Sequence, residues 1–132
     1  MTAQSAGYHL PDMPLEITFD DKTPYLSVKA VGRATLGDMI TMIEAVADEA
    51  KRRGLNRVLV DQTAIEEDFK FTDHFAIGAH VANVCREFER AASVVRADRR
   101  TGTSEVVAQK QGVQLRVFTS FDVADSWLRS PG

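Results

Sequence analysis

The first regular pattern in the chain begins at Leu15. Leu15, Ile17 and Phe19 alternate with Glu16, Thr18 and Asp20, the period of two that half-buries a strand. Asp21-Lys22-Thr23-Pro24 supplies a turn, after which Leu26, Val28 and Ala30 alternate with Ser27 and Lys29. So short a connection makes the two strands an antiparallel hairpin. From Leu36 the period changes. Leu36, Ile40, Ile43, Ala47 and Ala50 step by four and three, which stacks them on one helical face. Thr35 is placed to cap the amide end of this helix, Lys51-Arg52-Arg53 suits its carbonyl end, and Gly54 suits the left-handed position beyond.

Arg57-Val58-Leu59-Val60-Asp61 carries three consecutive apolar residues, as expected of a central strand covered on both faces. Beyond the acidic Glu66-Glu67-Asp68, the pattern predicts a helix from Asp73 to Glu89 capped by Thr72. A strand over 92–97 follows, then a short helix from Thr103 to Gln111 closed by Gly112. The last elements are a strand over 115–118 and a helix holding Phe121, Ala124, Trp127 and Leu128. Residues 1–14 show no period that buries a face and read as a flexible tail, leaving 15–130 as one domain.

The order ββαβαβαβα predicts an α/β fold with a five-stranded mixed sheet, an N-terminal antiparallel hairpin followed by parallel strands, and four helices. Three strands keep a polar alternate face: Glu16 and Thr18, Ser27 and Lys29, Gln114 and Arg116. Strands added in sequential order with right-handed crossovers would leave that face open, with the helices mostly on the other.

The opening hairpin, the strand ending in Asp61, and Val117-Phe118-Thr119-Ser120-Phe121-Asp122 running into Ala124 and Trp127-Leu128 together resemble the SpoIIAA-like family, the group containing STAS domains. The resemblance spans roughly residues 15–129. It implies a protein that binds partners or small ligands rather than one that catalyses a reaction. It also implies a phospho-acceptor near the start of the helix after the third strand, where antagonists of anti-sigma factors typically read Asp-Ser with a nearby glycine. Here the stretch is Phe71-Thr72-Asp73-His74-Phe75, which leaves Thr72 as the candidate. The departure favours the less characterised branch, for which similarity to CRAL-TRIO folds implies lipid or small-ligand binding. The ordinary role of Thr72 would be the helix cap, worth about 1 kcal/mol.

Composition narrows the classes further. With 132 residues, 44% hydrophobic and 27% charged, the chain can bury a core without covalent staples. A net charge of -3 argues against a general nucleic-acid or anionic-membrane surface. The single cysteine, Cys85, excludes an intramolecular disulfide and a CxxC metal site, as fits a reducing cytoplasm. No run approaches the ~18 apolar residues of a membrane span, so no stable membrane insertion is expected.

Candidate chemistry is sparse. His74 and His80 lie about 120° apart on a helix, His9 is in the tail, and no metal or cofactor is expected. Cys85, set among Ala82, Val84 and Phe88, reads as a packing residue. Ligands of open α/β sheets tend to sit at the carboxyl ends of the strands, which here offer Asp61, Thr63, Asp98, Arg99, Arg100 and Thr119. The two arginines, just before a helix, could hold a carboxylate or phosphate; the ordinary alternative is local pairing and capping.

The helix after Thr72 carries two apolar stripes, one of Ile77, Val81, Val84 and Phe88, the other of Phe75, Gly78, Ala82 and Cys85. So wide an arc needs more than one neighbour. Phe69, Phe71, Ile77 and Val81 are therefore the candidate interface of a homodimer, unless the two phenylalanines fold back under their own loop. The expected function is a non-enzymatic STAS-like regulatory or protein-binding module. The alternative is a carrier or sensor of a small apolar ligand such as a lipid, which an apolar cavity would favour.

Overall fold

The computed structural model describes residues 5–9 and 14–131. Its elements are β1 (Ser5–His9), β2 (Glu16–Lys22), β3 (Tyr25–Arg33), α1 (Leu36–Arg52), β4 (Arg57–Glu66), α2 (Phe71–Val84), β5 (Arg90–Val94), a 3-10 turn at Ala97–Arg99, α3 (Thr103–Lys110), β6 (Leu115–Phe118) and α4 (Phe121–Arg129). The strands form one sheet in sequence order. β1–β2 and β2–β3 pair antiparallel, and β3 through β6 pair parallel. All five strands read from the pattern are present. Ser5–His9, read as part of the tail, adds a sixth by pairing along β2 from Ser5 opposite Asp20 to His9 opposite Glu16. Residues 1–4 and 10–13 of that expected tail lie outside the described residues.

The pleat divides the core in two. Leu26, Val28 and Ala30 of β3, Val58 of β4 and Leu115 of β6 turn toward α1, α2 and α3. Tyr25, Leu59, Ala92 and Val94 turn the opposite way, toward Ala124 and Leu128 of α4. Val58 and Leu59 are adjacent yet serve different cores, as side chains alternating across a strand must. Three helices thus cover one face, and α4 covers the β4–β6 part of the other.

Local chemistry explains most boundaries. Thr35 Oγ1 accepts from the Asp38 amide at 3.2 Å while Asp38 Oδ2 accepts from the Thr35 amide at 2.8 Å, a reciprocal capping box. At the other end of α1, Gly54 takes φ 71° and the Leu55 amide donates to Ala50 O at 2.9 Å, closing the helix with a left-handed residue.

At α2 the sequence reading needs correction. Its cap is Lys70, and Thr72 sits inside the first turn, exposed to solvent. Capping is done from within the helix, by Asp73 Oδ2 accepting the Lys70 amide at 2.9 Å. The helix ends at Val84, five residues before Glu89. The Phe88 amide turns back to Cys85 O at 3.1 Å, and the Glu89 amide bonds Asn56 O at 2.8 Å, leading the chain into β5 two residues earlier than expected. β4 in turn runs past Asp61 to Glu66, because β3 continues beyond a bulge between Lys29 and Val31 and stays paired as far as Arg33 opposite Glu66.

The wide apolar arc of α2 is divided among neighbours. Ile77 and Val81 enter the core with α1 and the sheet. Gly78 meets α3 so closely that a Cβ there would lie 2.6 Å from Ser104 O and 2.9 Å from Val107 Cβ. Phe71 and Phe75 remain outside, 68% and 52% exposed.

Candidate functional site

Between the sheet and α1–α2 lies a pocket of about 120 Å³. Its deep wall is apolar, built from residues such as Met39, Met42, Val46, Val81 and Leu115. At the C-terminal ends of the parallel strands the lining turns polar and exposed with Arg100 and Thr101, which marks the mouth. Gln62 continues the inward-facing series of Val58 and Val60 on β4, and its Nε2 donates to Ser93 Oγ at 2.7 Å. Ser93 is one of only two polar or charged residues buried among those described.

The loop from β4 to α2 forms one lip. Glu67 Oε1 accepts the Phe69 amide at 2.8 Å, which folds the loop inward. Phe69 then packs against the core and meets the His74 ring edge-on, centroids 5.7 Å apart. The candidate interface is corrected accordingly. Phe69, Ile77 and Val81 line the pocket and face the chain's own core, so of the four only Phe71 stays on the surface. Phe75, one turn further along the same face, joins it. The i, i+4 spacing from Phe71 was the available signal.

The six candidate ligand-binding residues do not converge. Arg99 and Arg100 line the mouth of the pocket. Arg99 Nη1 donates to Glu67 O at 2.7 Å and lies 3.3 Å from Glu67 Oε1. Arg100 Nη2 donates to Glu105 Oε1 at 2.9 Å. Asp98 points away and pairs with Arg96 at 3.4 Å. Asp61 lies on the opposite face, in a shallow cleft beside Tyr25, Lys29 and Asp122. There its Oδ1 accepts from the Thr63 amide at 2.9 Å and hydroxyl at 2.6 Å, a local side-chain turn. Thr119 is exposed beyond the end of β6.

Titration follows burial. Cys85, at the wall of the pocket, is pushed up to about 11 by loss of solvent, which keeps it a neutral thiol. On the other face, burial first and then the hydrogen bond to Asp125 at 2.7 Å raise Tyr25 to about 12. Among the described residues no three His, Cys, Asp or Glu side chains group closely enough to hold a metal ion. No described helix is long and apolar enough to cross a membrane.

Comparison with known proteins agrees with this architecture. The family described as SpoIIAA-like matches residues 25–129. Among solved structures, an anti-sigma factor antagonist from Mycobacterium paratuberculosis superposes with a TM-score of 0.61 at 13% identity, covering 93% of this chain and 100% of its own. An uncharacterised protein with a SpoIIAA-like fold from Shewanella loihica PV-4 gives a TM-score of 0.55 at 21% identity, covering 92% of this chain and 99% of its own. No curated protein matches the sequence.

Proposed function

We propose that this chain, which belongs to the SpoIIAA-like family, works as a non-enzymatic STAS-like regulatory module that docks a protein partner on the first turns of α2. One observation carries the reading. Phe71 and Phe75 stand one turn apart on a single face, 68% and 52% exposed, on a helix whose other faces are packed. Together they present roughly 200–300 Å² of aromatic surface. That is less than the ~800 Å² each partner contributes to an ordinary interface, and about what a central pair of anchoring residues supplies. The same surface supports the homodimer expected from the sequence, centred on Phe71 and Phe75 instead of the buried residues. Thr72, exposed between Phe71 and Asp73, would bring a phosphate into that surface if it is modified, and its added charge would oppose apolar docking.

The test is a photo-reactive phenylalanine analogue placed at position 71 in the native cell. A discrete cross-linked protein, absent when the analogue replaces exposed Ser126 on α4, is the expected result. Equal labelling from both positions would end the proposal. Sedimentation of the purified chain separates a second copy from a different partner.

A second reading, carriage or sensing of a small apolar ligand, is favoured by the pocket. Its apolar depth and polar mouth at the strand ends are the usual form of a small-molecule site.

A further inference from the structure

We infer that the pocket beneath α1 and α2 takes an uncharged molecule of at most about six non-hydrogen atoms with one hydrogen-bonding end, neither a long-chain lipid nor an anion. This rests on the second reading above, that the pocket is a ligand site, and specifies its occupant.

Volume sets the size. An apolar cavity of about 150 Å³ holds benzene, and this pocket measures about 120 Å³. A chain longer than about five or six carbons would have to leave through the mouth, past Arg100 and Thr101, and its outer methylenes would gain no apolar wall. Charge at the mouth sets the second property. Both cations there are already answered, Arg99 by Glu67 and Arg100 by Glu105. Each guanidinium also donates to a backbone carbonyl, Glu67 O at 2.7 Å and Val117 O at 3.4 Å. Glu67 in turn holds the Phe69 amide, so freeing Arg99 for an anion would loosen the lip of the pocket itself. An anionic head would have to displace a carboxylate that is already seated.

His74 and Ser104 also line the pocket, and on the sheet side its polar feature is the Gln62–Ser93 pair. With Gln62 Nε2 donating to Ser93 Oγ, the hydroxyl proton and the amide carbonyl together offer one donor and one acceptor. This suits an alcohol, a phenol or a small amide, whose apolar remainder would lie against Met39, Met42 and Val81.

The test uses the whole chain with ¹³C-methyl methionine, because Met39 and Met42 both line the pocket. It is titrated with straight-chain alkanols from butanol to decanol, with hexanoate and with benzene. Each buried methylene should tighten binding about fourfold up to pentanol, the gain levelling off by about six carbons. Hexanoate should bind at least tenfold more weakly than hexanol. Ser93→Ala should weaken hexanol about five- to tenfold and leave benzene unchanged.

Affinity still rising fourfold per methylene through decanol would overturn the size limit. Hexanoate binding as well as hexanol would overturn the exclusion of anions, and an unchanged hexanol affinity in Ser93→Ala would overturn the polar end. Each of those leaves the pocket a ligand site. Undisturbed Met39 and Met42 signals with every probe at millimolar concentration would remove the site altogether.

Discussion

Arg57 ties the start of β4 to the C-terminal end of α4. It opens β4, is 8% exposed, and lies under the C-terminal end of α4. Its Nη1 donates to Leu128 O at 2.6 Å and Ser130 O at 2.7 Å, and its Nε donates to Glu89 Oε1 at 2.7 Å. The last carbonyls of a helix have no partner within it, and a cation at that end also meets the negative pole of the helix dipole. Arg90, opposite Arg57 in the parallel ladder, reaches the same helix end, bonding Trp127 O and Ser130 Oγ. Two arginines side by side repel, and the helix end with Glu89 is what holds them together.

Arg57→Ala removes two charge-assisted bonds of about 1.5–3 kcal/mol each. It strands a buried carbonyl and relieves a repulsion of roughly 0.5 kcal/mol with Arg90. The pair with Glu89 faces solvent and adds little. The expected net loss is about 3–5 kcal/mol, a large part of the ~5–15 kcal/mol that holds a domain together, and a fall in Tm of about 10–20 °C. Urea unfolding reports it directly through Trp127, the only tryptophan, which sits between Arg90 and Arg116 at 5.1 and 5.2 Å. Arg57→Lys should recover less than half, since a single ammonium lacks the planar fork. A loss below 1 kcal/mol for Arg57→Ala would refute the clamp.

Gly78→Ala should destabilise by about 1–3 kcal/mol in the same assay despite alanine's better helix propensity, because the added Cβ meets the α3 backbone at Ser104. Tyr25 has its pKa raised in the folded state to about 12, so its contribution is intact below the unfolded value of about 10. That contribution is lost as pH rises from there through 12; Tyr25→Phe should flatten this part of the alkaline stability profile. The outer edge of β6 is covered by side chains of α3: Val117 N donates to Glu105 Oε2 at 2.8 Å, and Gln109 Nε2 donates to Leu115 O at 2.8 Å. Removing both with Glu105→Ala and Gln109→Ala uncovers a strand edge, and light scattering should then show concentration-dependent association absent from the parent.

How much was legible follows from which interactions are local. The hairpin, α1 with its cap at Thr35 and its stop at Gly54, and the sequential sheet could be read because alternation and capping are written within a few neighbouring residues. The start of α2 misled because Thr72 is the right residue type for a cap, while the working contact is Asp73 reaching back to the Lys70 amide. The pattern ends β4 early because Gln62 and Thr63 resemble a loop, whereas β3 runs beside them and stays paired with β4 on either side. The separation of Asp61 from Arg99 and Arg100 was within reach. Val58, Val60 and Gln62 share one face, so Leu59 and Asp61 must share the other. The inward turn of Phe69 was not, since it depends on Glu67 holding the loop and on a gap between sheet and helices that no single segment encodes.

The exposed start of α2 is proposed here as the docking surface. With the cross-linked partner, or a second copy of the chain, in purified form, calorimetric titration of the parent and of the Phe71→Asp, Phe75→Asp double variant tests it. Anchoring aromatics cost about 2 kcal/mol or more each when lost, so Kd should rise at least a hundredfold while circular dichroism and the urea midpoint stay close to those of the parent. A folded double variant that binds within threefold of the parent would remove Phe71 and Phe75 from the docking surface.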